Sequence, residues 1–163
     1  MAVRKADPSD ASAVAEIYNH YIKTSHATFE LDPIDGGEML LRMERGQNAG
    51  YPFLVFENDG EIEGYAYGRQ FRPRRAYLHS IEISVYIRAG HEGRSIGTKL
   101  YEVLFDEIRK GTFHAIIAGI SLPNEPSVKL HERFGMTKVA HFSEVGHKFG
   151  RWIDVGYWQL ILK

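Results

Sequence analysis

The sequence predicts an α+β fold, a mixed and mostly antiparallel central sheet flanked by helices. Three observations carry that expectation. The hydrophobic period switches along the chain between the spacings of strands and helices. Residues 52–57, 61–69 and 76–87 read as three successive strands with short connections, which makes them antiparallel neighbours. The third leads through a glycine-rich turn into a helical pattern and then a strand at 114–120. A crossover of that length makes its two strands parallel neighbours.

Taken in order, residues 2–6 form a short first strand. Asp7-Pro8 opens a helix, because Asp accepts from first-turn amides and Pro lacks the N–H that would be orphaned there. Ala11, Val14, Ile17, Tyr18, Tyr21 and Ile22 make its buried stripe. Asp32-Pro33 is a second opening signal, for a helix reaching residue 48. Asn58-Asp59-Gly60 turns strand 52–57 into strand 61–69. Arg72-Pro73-Arg74-Arg75 is a loop before the β-branched strand 76–87. Ile96, Leu100, Val103, Leu104 and Ile108 share one face of a helix that starts near Ser95 and stops at Gly111. Strand 114–120 follows, and Asn124 caps a short helix through Phe134 that Gly135 ends. Strands 136–142 and 151–162 close the chain around a turn at 146–150. The whole chain, 1–163, reads as one domain.

At 163 residues the chain is long enough for one core and too short for two. Its 44% hydrophobic and 25% charged residues are ordinary for a globular protein, and a net charge of −1 gives no general attraction to nucleic acid or anionic membrane. The lack of cysteine excludes disulfides, zinc–thiolate sites and cysteine nucleophiles. No apolar run reaches the length of a membrane span and the first residues lack a signal-peptide core, so a cytoplasmic location is expected. His91-Glu92 and His131-Glu132 both begin like His-Glu-x-x-His, but Ser95 and Gly135 stand where the second histidine belongs. No metal site is expected.

The most informative stretch is 81–110. Between its strand and its helix lies a turn through Gly93, Arg94, Ser95, Ile96, Gly97 and Thr98. Such a turn presents N–H groups at the positive end of a helix dipole, an anion site suited to phosphate, although a tight connection without ligand has the same look. A Walker loop does not fit, since Glu92 occupies the position of its first glycine. Glu82 shares a strand face with Ser84 and Tyr86. It reads either as a solvated carboxylate or as a general base whose partial burial raises its pKa. His131 reads as a half-exposed helix residue or as a proton donor. Arg72, Arg74 and Arg75 form a solvated loop or a grip for a carboxylate, and too small a basic cluster for a nucleic-acid site.

Longer blocks add a resemblance. They are Asn19-His20-Tyr21-Ile22 with Thr24-Ser25, Gly64-Tyr65-Ala66-Tyr67, Phe71-Arg72-Pro73 and Glu82-x-Ser84-Val85-Tyr86-Ile87. Two further blocks are Asn124-Glu125-Pro126-Ser127-Val128-x-Leu130-His131-Glu132 and Gly146-x-Lys148-Phe149-Gly150-Arg151-Trp152-x-Asp154-Val155-Gly156-Tyr157-Trp158. With these the chain resembles, over its whole length, the GCN5-related N-acetyltransferase (GNAT) superfamily. Within it the chain is most similar to the phosphinothricin and methionine sulfoximine N-acetyltransferases. The superfamily's turn pattern, Gln/Arg-x-x-Gly-x-Gly/Ala, falls on residues 92–97, where Glu92 and Ser95 depart from it and Gly97 is kept.

The resemblance implies the acyl-CoA N-acyltransferase fold, acetyl-CoA as cosubstrate, a small-molecule amine as acceptor and a homodimer. It puts the pyrophosphate on the amides from Gly93 to Thr98. The pantetheine arm lies along Val85, Tyr86 and Ile87 in a splayed sheet, with Asn124 on its other side. Glu82 becomes the base, and His131 protonates the departing sulfur. An amino acid analogue would set its carboxylate on Arg72, with Arg74 beside it, contacts from Pro73, Ile83 and Ser84, and Phe29 and Tyr77 as walls. Lys148 would reach the site across the dimer. The competing functions are acetylation of another amine, a polyamine or a protein N-terminus, and a non-catalytic CoA-binding domain.

Overall fold

A computed structural model describes residues 1–163. Its strands are β1 (Ala2–Lys5), β2 (Phe53–Asn58), β3 (Glu61–Gln70), β4 (Ser80–Ile87), β5 (Ala115–Leu122), β6 (Thr137–Lys148) and β7 (Arg151–Ile161). They form one sheet in the order β1-β2-β3-β4-β5-β7-β6. All neighbours are antiparallel except β4 and β5, the pair joined by helix α3 (Ile96–Lys110). The expected mixed sheet and its single parallel pair are both present.

Helices cover both faces. On one, α1 (Ala11–Thr24) and α2 (Gly36–Asn48) bury Val14, Ile17, Ile22, Met39 and Met43 against Phe53, Val55 and Tyr65. On the other, α3 buries Leu100, Tyr101, Leu104 and Ile108 against Leu54, Phe56, Ile81 and Ile116. The short α4 (Glu125–Arg133) packs on β5 and meets α3 where His131 lies against Tyr101. The unbroken apolar run Phe53-Leu54-Val55-Phe56 follows from this, since β2 feeds alternate side chains to two cores.

Four boundaries differ from expectation, each for a local reason. Pro8–Asp10 forms a 3-10 turn before α1, closed by Asp10 accepting from the Asp7 amide at 2.8 Å. The α2 helix begins at Gly36 and not at Asp32-Pro33. Asn19 binds the Ile34 amide at 2.9 Å and its carbonyl at 2.7 Å, which holds that segment against α1, and Asp35 caps the helix through Glu38 N–H at 2.8 Å. A 3-10 turn at Arg75–Tyr77 delays β4 to Ser80. Finally, β6 continues past residue 142 through a bulge to Lys148. The turn is therefore only Phe149-Gly150, with φ of 53° and 69°, the left-handed pair a two-residue hairpin requires.

Candidate active site

The parallel pair opens soon after it forms. β4 and β5 are in register at Ser80↔Ala115, Ile81↔Ile116 and Glu82↔Ile117, and then run on to Ile87 and Leu122 without pairing. The gap leaves one edge of β4 without a strand partner, as a docked extended ligand requires. At its end Tyr21 donates from its hydroxyl to the Ile87 carbonyl at 2.6 Å.

The turn after β4 meets this gap. Gly93 has φ of 77° and Ser95, the residue before α3, has φ of 61°. That left-handed backbone aims the first amides of α3 outward. Ser95 makes no side-chain cap, and the first backbone bond of the helix is Lys99 N–H to Ser95 O at 3.0 Å. The amides of Ile96, Gly97 and Thr98 therefore have no acceptor within the chain. Glu92 folds back onto its own turn and accepts from the Gly90 amide at 2.8 Å, so its charge is engaged there. The turn is moored to β3 as well. His91 Nδ1 lies 3.3 Å from the buried Glu63 carboxylate, which Asn58 donates to at 3.0 Å. Gly97 lets α3 approach α4, for a Cβ there would stand 3.2 Å from Leu130 Cδ2. Together the gap and the turn enclose a cleft of about 640 Å³.

A second cleft, of about 770 Å³, lies on the α1–α2 face of the sheet. Its floor is built by period-two alternation: Tyr65, Tyr67 and Arg69 of β3 stand opposite Tyr86, Ser84 and Glu82 of β4. The aromatic part is stacked, with ring centroids 5.1 Å apart for Phe53–Tyr67 and 5.4 Å for Tyr65–Tyr86. Burial pushes the Tyr65, Tyr86 and Tyr18 phenols up, so they stay protonated at neutral pH. Glu82 is mostly buried and accepts from Arg69 Nη2 at 2.7 Å. Across the cleft, Arg42 grips Glu30 through two bonds of 2.9 and 2.6 Å, which holds that carboxyl below the usual range. The loop between α1 and α2 forms the remaining wall. Lys148, fully buried, donates to the Ser25 and Thr28 carbonyls at 2.7 and 2.8 Å, and Phe29 lies on Gly146. Burial pushes the Lys148 ammonium down. This lysine ties the loop of its own chain, a contact that differs from the expected reach across a dimer.

The two clefts meet. Ala27, Ser84, Tyr86, Gly119 and Ser121 line both.

Most of the residues singled out from sequence gather here. Val85, Tyr86, Ile87, Gly93, Ser95, Ile96, Gly97, Thr98 and Asn124 line the smaller cleft, joined there by Ile83 and His131. Glu82, Ser84 and Phe29 line the larger one. Arg94 turns aside, with Nη1 3.5 Å from His91 Nδ1. Arg72, Pro73, Arg74 and Tyr77 stand outside both walls, since they occupy the exposed stretch between the end of β3 and the start of β4. Arg72 lies over the Phe71 ring at 5.0 Å, although Gln70 of the larger cleft donates to its carbonyl at 3.0 Å. His131 is not half-exposed. Only 3% of it reaches solvent. Nδ1 lies 2.6 Å from the Ser127 carbonyl, which can only accept, so Nδ1 carries the proton and Nε2 accepts from the Tyr101 hydroxyl at 2.8 Å. Burial pushes its pKa down. Sequence reading missed Arg69, Arg42, Glu30, His26 and Ser121. Arg69 alone carried a signal: it continues the Tyr65, Tyr67 alternation and falls opposite Glu82 in the hairpin register.

A chain with a splayed parallel pair, free amides at a helix start and an adjoining acceptor cleft has the form of an acyl-CoA-dependent transferase. The model of the acetyltransferase (GNAT) domain matches residues 3–156. The L-methionine sulfoximine/L-methionine sulfone acetyltransferase of Salmonella typhimurium is 38% identical over 99% of this chain and 95% of its own length. The phosphinothricin N-acetyltransferase of Streptomyces viridochromogenes is 39% identical over 96% of this chain and 85% of its own. An acetyltransferase of Salmonella typhimurium, solved with its cofactor acetyl-CoA, superposes with a TM-score of 0.97 at 38% identity, covering 99% of this chain and 94% of that one. The chain belongs to the GNAT acetyltransferase family. It is an acetyl-CoA-dependent N-acetyltransferase with the fold expected from its sequence. No helix is long and apolar enough to cross a membrane, and no cluster of metal-binding side chains is present.

Proposed function

We propose that this enzyme acetylates the amine of a small amino acid analogue such as phosphinothricin or methionine sulfoximine, with residues 1–163 acting as one domain. The observation that carries the reading is the junction, where a cleft fit for the acyl carrier opens beside Glu82 and Ser84. The names of the relatives at 38–39% identity support the acceptor class.

Acetyl-CoA supplies an activated acyl group. The amides of Ile96, Gly97 and Thr98, with Gly93, Arg94 and Ser95 shaping the turn, suit its diphosphate. The free edge of β4 at Val85, Tyr86 and Ile87 and the side chain of Asn124 suit its amide-bearing arm, and a backbone N–H near Ile87 suits a developing oxyanion. Glu82, oriented by Arg69, takes a proton from the acceptor ammonium, which makes the nitrogen a nucleophile. Arg69 and the rim residues Arg72 and Arg74, with Pro73, Ile83 and Ser84, draw in the acceptor carboxylate. Phe29 and Tyr77 bound its side chain. His131 positions α4, and through it Asn124, by its bonds to Tyr101 and Ser127. Holding two reactants at one junction supplies much of the acceleration.

A polyamine is poorly matched, because both carboxylates of the cleft, Glu30 and Glu82, are already paired with arginines. We place the enzyme in the cytoplasm, where its cosubstrate is made. We also propose a homodimer through the β6–β7 hairpin, supported by the exposed apolar side chains of Phe142, Val145, Phe149 and Trp152. The test is CoA release with a panel of amino acids, their sulfoximine and phosphinate analogues, polyamines and peptides. Highest kcat/KM on the analogues is expected, and preference for a polyamine or peptide would refute the acceptor class.

A further inference from the structure

The acceptor cleft holds a second basic group that none of these steps uses. His26 lies in the loop after α1, partly buried, and lines the larger cleft. Two contacts tie it to Ser121 of β5. The Ser121 hydroxyl donates to the His26 carbonyl at 2.5 Å, and the same oxygen lies 2.9 Å from His26 Nδ1. A hydroxyl has one proton to give. With that proton on the carbonyl, the oxygen can only accept, so Nδ1 carries the imidazole hydrogen. Nε2 keeps its lone pair and bonds to no group of the chain. An imidazole whose Nδ1–H is fixed by Ser121, with its other nitrogen unpartnered in a cleft, is the arrangement of a proton acceptor.

The surroundings leave this role to few groups. Tyr18 of α1 and Tyr86 of β4 are held protonated by burial. Glu30 of the same loop is bound by Arg42, and Glu82 of β4, oriented by Arg69, is already assigned the first proton. Lys148 of β6 gives its protons to two carbonyls, and Tyr157 of β7 completes the ring of polar groups. Ser121, which holds the imidazole, and Ala27, the next residue in the chain, border both clefts, so His26 lines the larger cleft beside its junction with the smaller one. His131, with both nitrogens engaged, has no proton free to offer there.

We propose that His26 is a catalytic residue that shuttles a proton from the acceptor nitrogen to the departing sulfur. The inference rests on acetyl transfer at this junction, not on which amine is used. An ammonium must lose two protons to become an amide nitrogen. Glu82 takes the first and returns it to solvent. Nε2 takes the second as the N–C bond forms, and gives it to the sulfur as the C–S bond breaks. The balance is one ammonium and one thioester consumed, with one amide, one thiol and one proton released.

Nitrogen-15 NMR of the free enzyme reads the tautomer without any turnover. In the neutral imidazole of His26 the proton is expected on Nδ1 and not on Nε2, and the reverse overturns the proposal. With whichever amine the wild type turns over fastest, His26→Ala is expected to lower kcat about 100-fold. Free imidazole should restore activity with saturation, a response that a merely structural role would not give. Unchanged kcat, or loss without rescue, overturns the shuttle. Ser121→Ala frees the tautomer while keeping the ring, and is expected to cost about tenfold, with the double variant no worse than His26→Ala alone. Full additivity overturns the coupling. Failure of every amino acid analogue as acceptor would refute the earlier acceptor class and leave this test standing.

Discussion

The two clefts that meet at Ser84 and Ser121 are made of different material. The smaller one is made largely of backbone: free amides at the start of α3, an open edge of β4 and three left-handed residues in the turn between them. The larger is made of side chains drawn from β3, β4, the loop after α1, and α2. A backbone site survives many side-chain changes and yields to changes of conformation. A side-chain site behaves the opposite way, because one truncation removes a charge or a proton acceptor. The GNAT turn illustrates the first case. Glu92 and Ser95 depart from the family pattern, yet the amides stay presented because Glu92 is occupied with Gly90.

The sharpest test of that contrast is Glu82→Gln. It should lower kcat/KM by about 100- to 1000-fold, the range of a lost general base. Acetyl-CoA affinity, measured by calorimetry, should not change, since Glu82 lines only the larger cleft. Full activity at every pH would remove Glu82 as the base, and weakened cofactor binding would mean that the clefts are not separable.

That difference in material also explains what could be read from the chain. The turn at 93–98, the strand ending at Ile87 and the cap at Asn124 are local features, so glycine spacing and alternation revealed them and the structure places them together. The order of elements was legible for the same reason. The larger cleft was only half legible. Glu82 and Ser84 lie on a strand whose faces alternation defines, but Arg42, Glu30, His26 and Ser121 converge only after α1 and α2 dock. Arg72 looked suitable because it precedes the Glu82 strand and Tyr77 because the family resemblance made it a wall, yet the 3-10 turn at Arg75–Tyr77 leaves that stretch outside both clefts. The burial of His131 was not legible for a related reason, although it does line the smaller cleft. A helix histidine with polar neighbours reads as half exposed, and only the packing of α4 on Tyr101 shows it buried.

His131→Phe is the next largest effect, on stability rather than binding. It keeps an aromatic ring and strands the Tyr101 hydroxyl, which should cost about 1–3 kcal/mol in chemical denaturation. The sign of its pH dependence follows from burial, which lowers the folded pKa. The unfolded chain then binds the proton first as pH falls, so this contribution is complete above the ordinary histidine value of about 6.5 and declines below it. Wild-type stability should therefore fall as pH drops from 7 to 5, and the variant should fall less. The carboxylates held low by their partners, Glu30, Glu63 and Asp154, lose their contributions only at more acidic pH. A loss of kcat beyond the loss of folded protein would return His131 to the chemistry.

Gly93→Ala probes the backbone site. At φ of 77° a Cβ costs about 1 kcal/mol, so either the turn strains or the amides shift. The KM for acetyl-CoA should rise by about fivefold to tenfold while the KM for the acceptor stays unchanged. A rise in both would show that the turn also shapes the acceptor cleft.

The smallest effect is the most discriminating. Ser95 has φ of 61° and makes no side-chain cap, so the chain bears the cost of a left-handed serine with no bond in return. Ser95→Gly removes that cost, about 1 kcal/mol, but adds flexibility to the unfolded chain, which offsets part of it. The melting temperature should rise by about 1–2 °C, the shift expected for roughly half a kcal/mol in a chain of this size. Acetyl-CoA affinity is the decisive reading. If only backbone amides bind the diphosphate, affinity stays level, because glycine holds the same φ and presents the same N–H groups. If affinity falls by tenfold or more, the Ser95 hydroxyl is itself a ligand. The smaller cleft would then owe part of its specificity to a side chain that departs from the family pattern.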